Sequence, residues 1–265
     1  MTTPVLSASI AGIGFWTRGL PSWEAACAYL ADGQLPEAPA NRPSPQLLAA
    51  NERRRAPETV AVALEVALAA CTAAGRDPAT LASVCTSTHG DLSITDYMCE
   101  TLASAPLTLS PTRFHNSVHN AAAGYWTIGA HAMAPATAIS ALDHSFGQGL
   151  LEALVQLATG TDAVLLVAYD SAATGPIAQI SRSEGLLGGA LVLVREVLPG
   201  QPRLQASLRE AAAGEGQAPG RLAGLVGANA MLPMLPLFEA LARRQAHATI
   251  PTGHGKVLGM EIANG

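Results

Sequence analysis

Asp143-His144-Ser145 stands between two apolar runs, Ala136–Leu142 and Ser145–Gly160. The first run predicts a strand and the second a helix, so the triplet falls at a strand-to-helix junction. Free N–H groups and the dipole at a helix N-terminus stabilise an anion there. Enzymes use that geometry to activate a nucleophile. Asp143 therefore reads in two overlapping ways: as a helix N-cap, a place Asp fills well, or as what is left of a nucleophile site.

Ser145 offers a different chemistry. Asp-His-Ser-Phe-Gly imitates the Gly-x-Ser-x-Gly elbow of serine hydrolases and thioesterases, with Asp143 where a small glycine belongs. Such an enzyme needs an acid and then a histidine after the serine, and Asp170 and His247 have that order. Thr88-His89-Gly90-Asp91 is a polar turn after a predicted strand, and ligands of open α/β sheets gather at strand carboxyl ends. It lacks a phosphate-binding glycine pattern and reads as a loop. His89, His115 and His131 carry no metal spacing. The four cysteines, Cys27, Cys71, Cys85 and Cys99, form no CxxC or Cys/His metal pattern. Each reads as a small buried hydrophobe.

The elements that must hold these residues follow from pattern. Val5–Phe15 is β-branched and apolar, a first buried strand. Ser22–Leu30 reads as a short helix. Pro57–Ala74 opens on proline, carries Glu58 in its first turn, and is apolar at helical spacing. Leu81–Ser87 is a strand, Ile94–Ala103 a helix, Asn116–Met133 a small-residue helix. Asp162–Tyr169 and Leu187–Arg195 are strands, with Arg203–Arg209 and Lys256–Ile262 as late ones and a helix over Ala228–Arg244. Continuously apolar strands alternating with helices make an open α/β sheet. Ala211–Gly220 reads as a flexible loop, with too little chain after it for a second domain.

Composition narrows the function. Of 265 residues, 49% are hydrophobic and 13% charged, about half the usual ~25%, which excludes disorder. The net charge is −5 with Lys256 as the one lysine, and aromatics are 4%. Neither a basic footprint nor stacking platforms for nucleic acid are present. The uncharged stretches Asn116–Leu142 and Leu222–Phe238 are broken by Pro135, Pro233 and Pro236, so no membrane span is expected. No signal peptide is read at the N-terminus, and a cytoplasmic protein is expected. Its few charges do not cover a whole surface, which predicts burial against a partner.

Order and spacing add a resemblance. Asn120-Ala121-Ala122-Ala123-Gly124 is followed by Ala134-Pro135, then ATAISAL, then Asp143-His144-Ser145. This is similar to the N-terminal half of β-ketoacyl synthases in the thiolase superfamily: Asn-x-x-Ala-Gly, Gly-Pro, a strand, and Cys-x-Ser opening a helix. The opening AGIGFW with Trp23, the strand Val84–Gly90 and Ser183–Val194 resemble further parts of that family, over roughly residues 5–200. The implied fold is α/β, a thiolase-like half with a mixed five-stranded sheet and helices on both faces, plus a small extension over about 201–265, all in one domain. Asp143 replaces the family's nucleophilic cysteine, and a carboxylate cannot form the thioester. The two histidines and the glycine-rich loop of the family's second half are missing. His254 in Pro251-Thr252-Gly253-His254-Gly255 and His247 match no family pattern.

Thr112–Gly124, Phe146–Leu154 and Asn51–Arg55 resemble chain-length-factor-like subunits of aryl polyene and related type II systems. The resemblance implies a non-catalytic subunit that pairs with a full-length β-ketoacyl synthase in fatty-acid or aryl polyene-type chain elongation, without a cofactor. It places His119, Asn120, Ala136, Ala138, Ile139 and Ser140 at the subunit interface. Arg53, Arg54 and Arg55 become a contact for acyl carrier protein. Phe146, Leu150, Leu151, Leu154, Val155 and Leu157 predict a wide apolar arc on the helix after Asp143, more than the C-terminal segment alone would cover.

Overall fold

The computed structural model describes residues 4–212, 215 and 220–265. Most of the predicted loop Ala211–Gly220 lies outside the described residues. The elements in chain order are β1 (Val5–Thr17), α1 (Trp23–Asp32), α2 (Ala50–Arg55), α3 (Glu58–Ala73), β2 (Ala82–Thr86), α4 (Leu92–Ser104), α5 (Pro111–Ser117), α6 (Ala121–Gly129), β3 (Ala136–Ile139), α7 (Ser145–Ala158), β4 (Ala163–Asp170), β5 (Leu187–Val194), β6 (Arg203–Glu210), α8 (Arg221–Val226), α9 (Leu235–Ala242), β7 (His247–Gly253) and β8 (Lys256–Ala263). Eight strands form one mixed sheet in the order β3-β2-β4-β5-β1-β6-β8-β7. β3, β2 and β4 run parallel, and the remaining pairings are antiparallel.

The thiolase-like half expected from the sequence is the five-strand run β3 to β1. The extension is no separate appendage. β6 pairs with the outer side of β1, and β8 and β7 continue the sheet. β7 escaped the sequence reading because Pro251 and two glycines punctuate HATIPTGHG. A proline is tolerated on an edge strand, where its missing N–H costs no ladder bond, and β7 is such an edge.

Helices cover both faces. α3 is apolar nearly all round and packs over β1, β5 and β4, with α6 beside it. Such a helix needs burial on most sides. Two glycines of β1 let it approach: a Cβ on Gly14 would lie 2.0 Å from the Val66 carbonyl oxygen, and one on Gly12 2.2 Å from that of Ala70. On the opposite face α7 lies under β4, β2 and β1. Its Phe146, Leu150, Leu154 and Leu157 are fully buried.

The expected surplus of apolar surface on α7 is not found. β7 and the 3-10 turn Leu232–Met234 pack against it and Phe238 of α9 reaches Phe146, so of that arc only Val155 is substantially exposed. The Phe238 ring of α9 stands 6.4 Å from Phe146, 5.8 Å from Phe15 and 5.9 Å from Trp23. Each fully buried large apolar side chain contributes about 1.5–3 kcal/mol, so the C-terminal segment completes this core.

Two predicted helices are shorter than read. Asn116–Met133 is broken into α5 and α6, because Val118 is extended and His119 turns inward. Ala228–Arg244 shrinks to α9, preceded by a 3-10 turn at Leu232–Met234. Pro233 and Pro236 supply no N–H and suit only a first turn. The strand predicted over Ala136–Leu142 ends at Ile139.

Candidate functional site

Three parallel strands end side by side, and the loops leaving them form one polar cluster. β4 delivers Asp170, whose side chain is completely buried. Its carboxyl accepts from the Ser87 hydroxyl at 2.7 Å, the Thr88 N–H at 2.8 Å and the His89 N–H at 3.3 Å. Burial raises its pKa, and the three hydrogen bonds and nearby His89 only partly oppose that. Asn229 reaches in from before α9 and donates to the backbone carbonyls of Asp170 and Glu184. Buried polar groups of this kind need partners, and here they find them.

The loop after β2 is held from both sides. His119 Nε2 donates to the Ser87 carbonyl at 2.8 Å, which fixes its tautomer. Gly90, at φ +66°, lies under the His119 backbone. His89 Nε2 and the Ser181 hydroxyl are 2.8 Å apart. Asp91 accepts from the Ile94 N–H and caps α4, and it also accepts from Thr59. The loop reading of Thr88–Asp91 therefore holds, with Asp91 as a cap.

The junction between β3 and α7 differs from the sequence reading. Asp143 does not cap α7. The capping position is His144, with no side-chain capping bond. Asp143 sits within a 3-10 turn, Leu142–His144, with its side chain exposed and unbonded among the described residues. The reason is Ser145. Its buried hydroxyl donates to the Leu142 carbonyl at 2.7 Å and accepts from the Ala141 N–H at 3.0 Å. The Thr88 hydroxyl adds a bond to the same carbonyl at 3.1 Å, and Ser140 donates to the Thr88 carbonyl at 2.9 Å. These bonds fold the chain so that Leu142, at φ +50°, forms the apex of the turn. Residue type alone does not point to this turn, because a branched residue rarely adopts a left-handed backbone.

The hydrolase arrangement is not assembled. Ser145 is wholly buried and its proton is committed to Leu142. Asp170 is held by the β2 loop. His247 is exposed at the start of β7, lining a surface depression with Gln205 and Glu261. The end of β7 that touches α7 is Pro251–Gly253, roughly 13–20 Å away along the strand at ~3.3 Å per residue. There a Cβ on Gly147 would meet the Pro251 carbonyl oxygen at 2.1 Å, and Gln148 donates to the Thr252 carbonyl. The hairpin Thr252–Gly255 thus closes on the N-terminus of α7 with His254 pointing outward in the turn. Among the described residues no group of His, Cys, Asp and Glu could hold a metal ion, and no helix is long and apolar enough to cross a membrane.

The interface candidates share one side of the molecule. β3 is the sheet's other edge and, among the described residues, pairs only with β2. Asn120, Ala136, Ala138 and Ser140 are exposed, while His119 and Ile139 are half-buried. Arg53, Arg54 and Arg55 form the end of α2. Arg53 is tethered to the Leu48 carbonyl, and Arg54 to Asn51. Arg53 and Arg54 line a surface depression with Arg42 and Glu58. The cysteines divide: Cys71 and Cys85 are buried with thiols pushed up to about 12 by burial, Cys27 is half-buried and also raised by burial. Cys99 is exposed, against expectation.

A family model of the β-ketoacyl synthase N-terminal domain matches residues 23–253. The chain belongs to this family. No curated protein sequence matches it. Among solved structures it is similar to a chain of the ketosynthase (ApeO) in complex with its chain length factor (ApeC) from Xenorhabdus doucetiae, at 22% identity and TM-score 0.75. The match covers 97% of this chain and 99% of that one. The ishigamide ketosynthase/chain length factor matches at 14% identity and TM-score 0.70, covering 97% and 99%. A type II polyketide synthase assembly, AntDE:AntF, in which an acyl carrier protein is in complex with its ketosynthase, matches at 11% identity and TM-score 0.73, covering 98% and 99%. Each matched chain is therefore nearly the same length as this one. At these identities the likeness is one of fold, and that fold is the thiolase-like one of ketosynthase assemblies.

Proposed function

We propose that the chain is a non-catalytic, chain-length-factor-like subunit that pairs with a full-length β-ketoacyl synthase. The observation that carries this reading is the β3–α7 turn. It has the strand-to-helix form that suits a nucleophile, yet its residues are Leu142, an exposed Asp143 and a buried, hydrogen-bonded Ser145. None can carry an acyl chain as a thioester. The unpaired edge of β3 supports a partner, since an uncharged open edge invites another strand. The similar solved structures, which include ketosynthase and chain length factor complexes, support the same pairing. The acyl chains elongated by the pair are of the fatty-acid or aryl polyene type, and the α2 arginines offer a carrier-protein contact, Arg–carboxylate or Arg–phosphate pairs suiting an acidic surface.

The test is co-expression with a β-ketoacyl synthase encoded beside it, followed by size-exclusion chromatography and intact-mass measurement after exposure to acyl carrier protein thioesters. The expected result is a 1:1 complex in which only the synthase gains an acyl mass. An acyl adduct on this chain, or a monomer that ignores the synthase, overturns the reading.

A further inference from the structure

Four non-glycine residues among those described have a left-handed backbone: His131, Leu142, Arg244 and His254. Three have ordinary causes. His131 follows α6 and Arg244 follows α9, and after each the next N–H reaches back to close the helix end, Ala132 to the Thr127 carbonyl and Gln245 to the Ala240 carbonyl. His254 lies in the β7–β8 hairpin turn, where positive φ is common. Leu142 has no such cause. It stands between a strand and a helix, it is a branched apolar residue, and its side chain is 69% exposed. Glycine would adopt this backbone without strain.

The strain is imposed by its neighbours. The Leu142 carbonyl accepts from both Ser145 and Thr88, and Thr88 is in turn fixed by Asp170 and by Ser140. Strained residues persist where surrounding structure over-determines them, and such residues cluster at working surfaces. The exposed side chain gains nothing inside this chain that would offset the strain. Its place is telling: Leu142 comes three residues after the end of edge strand β3. The segment leading into β3 carries two more exposed apolar side chains, Ile128 and Met133.

We infer that Leu142 is a knob held outward for the partner subunit, seated in an apolar recess of the ketosynthase that pairs along β3. The inference rests on the pairing proposed above and names the residue that anchors it. The turn keeps the nucleophile-presenting shape but uses it to present an aliphatic side chain to another protein.

The experiment compares wild type, Leu142→Gly and Leu142→Ala for thermal unfolding of the isolated chain and for affinity toward the co-encoded ketosynthase. The glycine variant is expected to unfold at the same temperature as wild type or higher, and to pair roughly tenfold more weakly, about 1.4 kcal/mol. Leu142→Ala, which keeps a Cβ and the strain, should weaken pairing by a similar factor. If both variants pair as wild type does, this inference fails while the pairing stands. If Leu142→Gly unfolds at a lower temperature and pairs more weakly in proportion, Leu142 is structural and the inference fails too. If wild type itself does not pair, it is the functional reading that fails, and this inference goes with it.

Discussion

The Thr88 hydroxyl lies 3.1 Å from the Leu142 carbonyl oxygen, and through that bond the end of β2 governs the turn after β3. The Thr88 N–H is at the same time bound to the buried Asp170 carboxyl at the end of β4. One residue thus couples the three parallel strand ends. Ser145 shares the work, since its hydroxyl bridges Ala141 and Leu142. Removing that hydroxyl leaves the partly buried Ala141 N–H without its partner, a loss of ~1–3 kcal/mol. Ser145→Ala should lower chain stability by that amount in urea unfolding, whereas Asp143→Ala, with an exposed and unbonded carboxylate, should leave it within ~0.5 kcal/mol. The reverse ranking would restore Asp143 as the cap.

Asp170 makes stability depend on pH. Burial raises its pKa in the folded chain above the unfolded value, so the folded state holds the proton more tightly. Its contribution is therefore complete below the ordinary carboxylate value of ~3.9 and is lost as pH rises through the higher folded value. Asp170→Asn keeps an oxygen that can accept from Ser87 or Thr88 but cannot ionise. The stability of wild type relative to this variant should fall as pH is raised from about 4 toward neutrality. A difference that stays constant, or grows with pH, would mean that the hydrogen bonds outweigh the burial.

Much of this frame was readable in the residues, and the failures have common causes. The strands β4 and β5 are continuous apolar runs buried on both faces, the form that periodicity detects best. α3 announced itself by Pro57 and its apolar length. β7 did not, because an edge strand bearing proline and glycine has the composition of a loop. The Asp143 reading failed for a subtler reason. Local preference places aspartate at a cap, but Ser145 and Thr88, 57 residues apart in sequence, converge on the Leu142 carbonyl and move the helix start past Asp143. Asp170 was legible only through its order after Ser145. Its partners Ser87, Thr88 and Asn229 were not, since they come from separate loops. The surplus of apolar surface assigned to α7 assumed that the C-terminal segment was too small to cover it, whereas α9 and β7 are spent on that face.

Gly14 tests the packing of β1 against α3. A methyl group there would overlap the Val66 carbonyl, and neither element can retreat, since α3 also packs on β5 and β4. Overpacking of this kind costs ~1–3 kcal/mol, or more where backbone is struck. Gly14→Ala should therefore destabilise the chain at the upper end of that range or prevent folding, while Gly124→Ala, which meets open space, should be neutral or slightly stabilising. Equal behaviour of the two variants would contradict the close approach.

Thiol reactivity should sort the cysteines by burial. A thiol with a pKa of about 12 presents roughly one part in 10⁴ of thiolate at pH 8, and Cys71 and Cys85 are also shielded from solvent. Under native conditions iodoacetamide should label Cys99 first and Cys27 slowly, leaving Cys71 and Cys85 for the unfolded chain. Peptide-resolved mass spectrometry reads the order directly. Early labelling of Cys85 would mean that β2 opens far more readily than a central strand should.

The edge of β3 gives the decisive contrast between partner and fold. Ala138 is exposed on a four-residue strand whose outer side carries no neighbour among the described residues. A lysine there costs the isolated chain little, since its ammonium stays in water and the pairing with β2 is through backbone. Against an apposed strand the same charge must be desolvated in an interface, a penalty natural edge strands exploit to repel pairing. Ala138→Lys should then leave the unfolding temperature of the isolated chain nearly unchanged, yet reduce co-purification with the ketosynthase to background. Val155→Lys, on the exposed large apolar side chain of α7, should leave pairing intact, because that helix faces the chain's own C-terminal segment. If the lysine on α7 abolished pairing and the lysine on β3 did not, the partner would sit on the helical face, and the edge strand would have to be protected some other way.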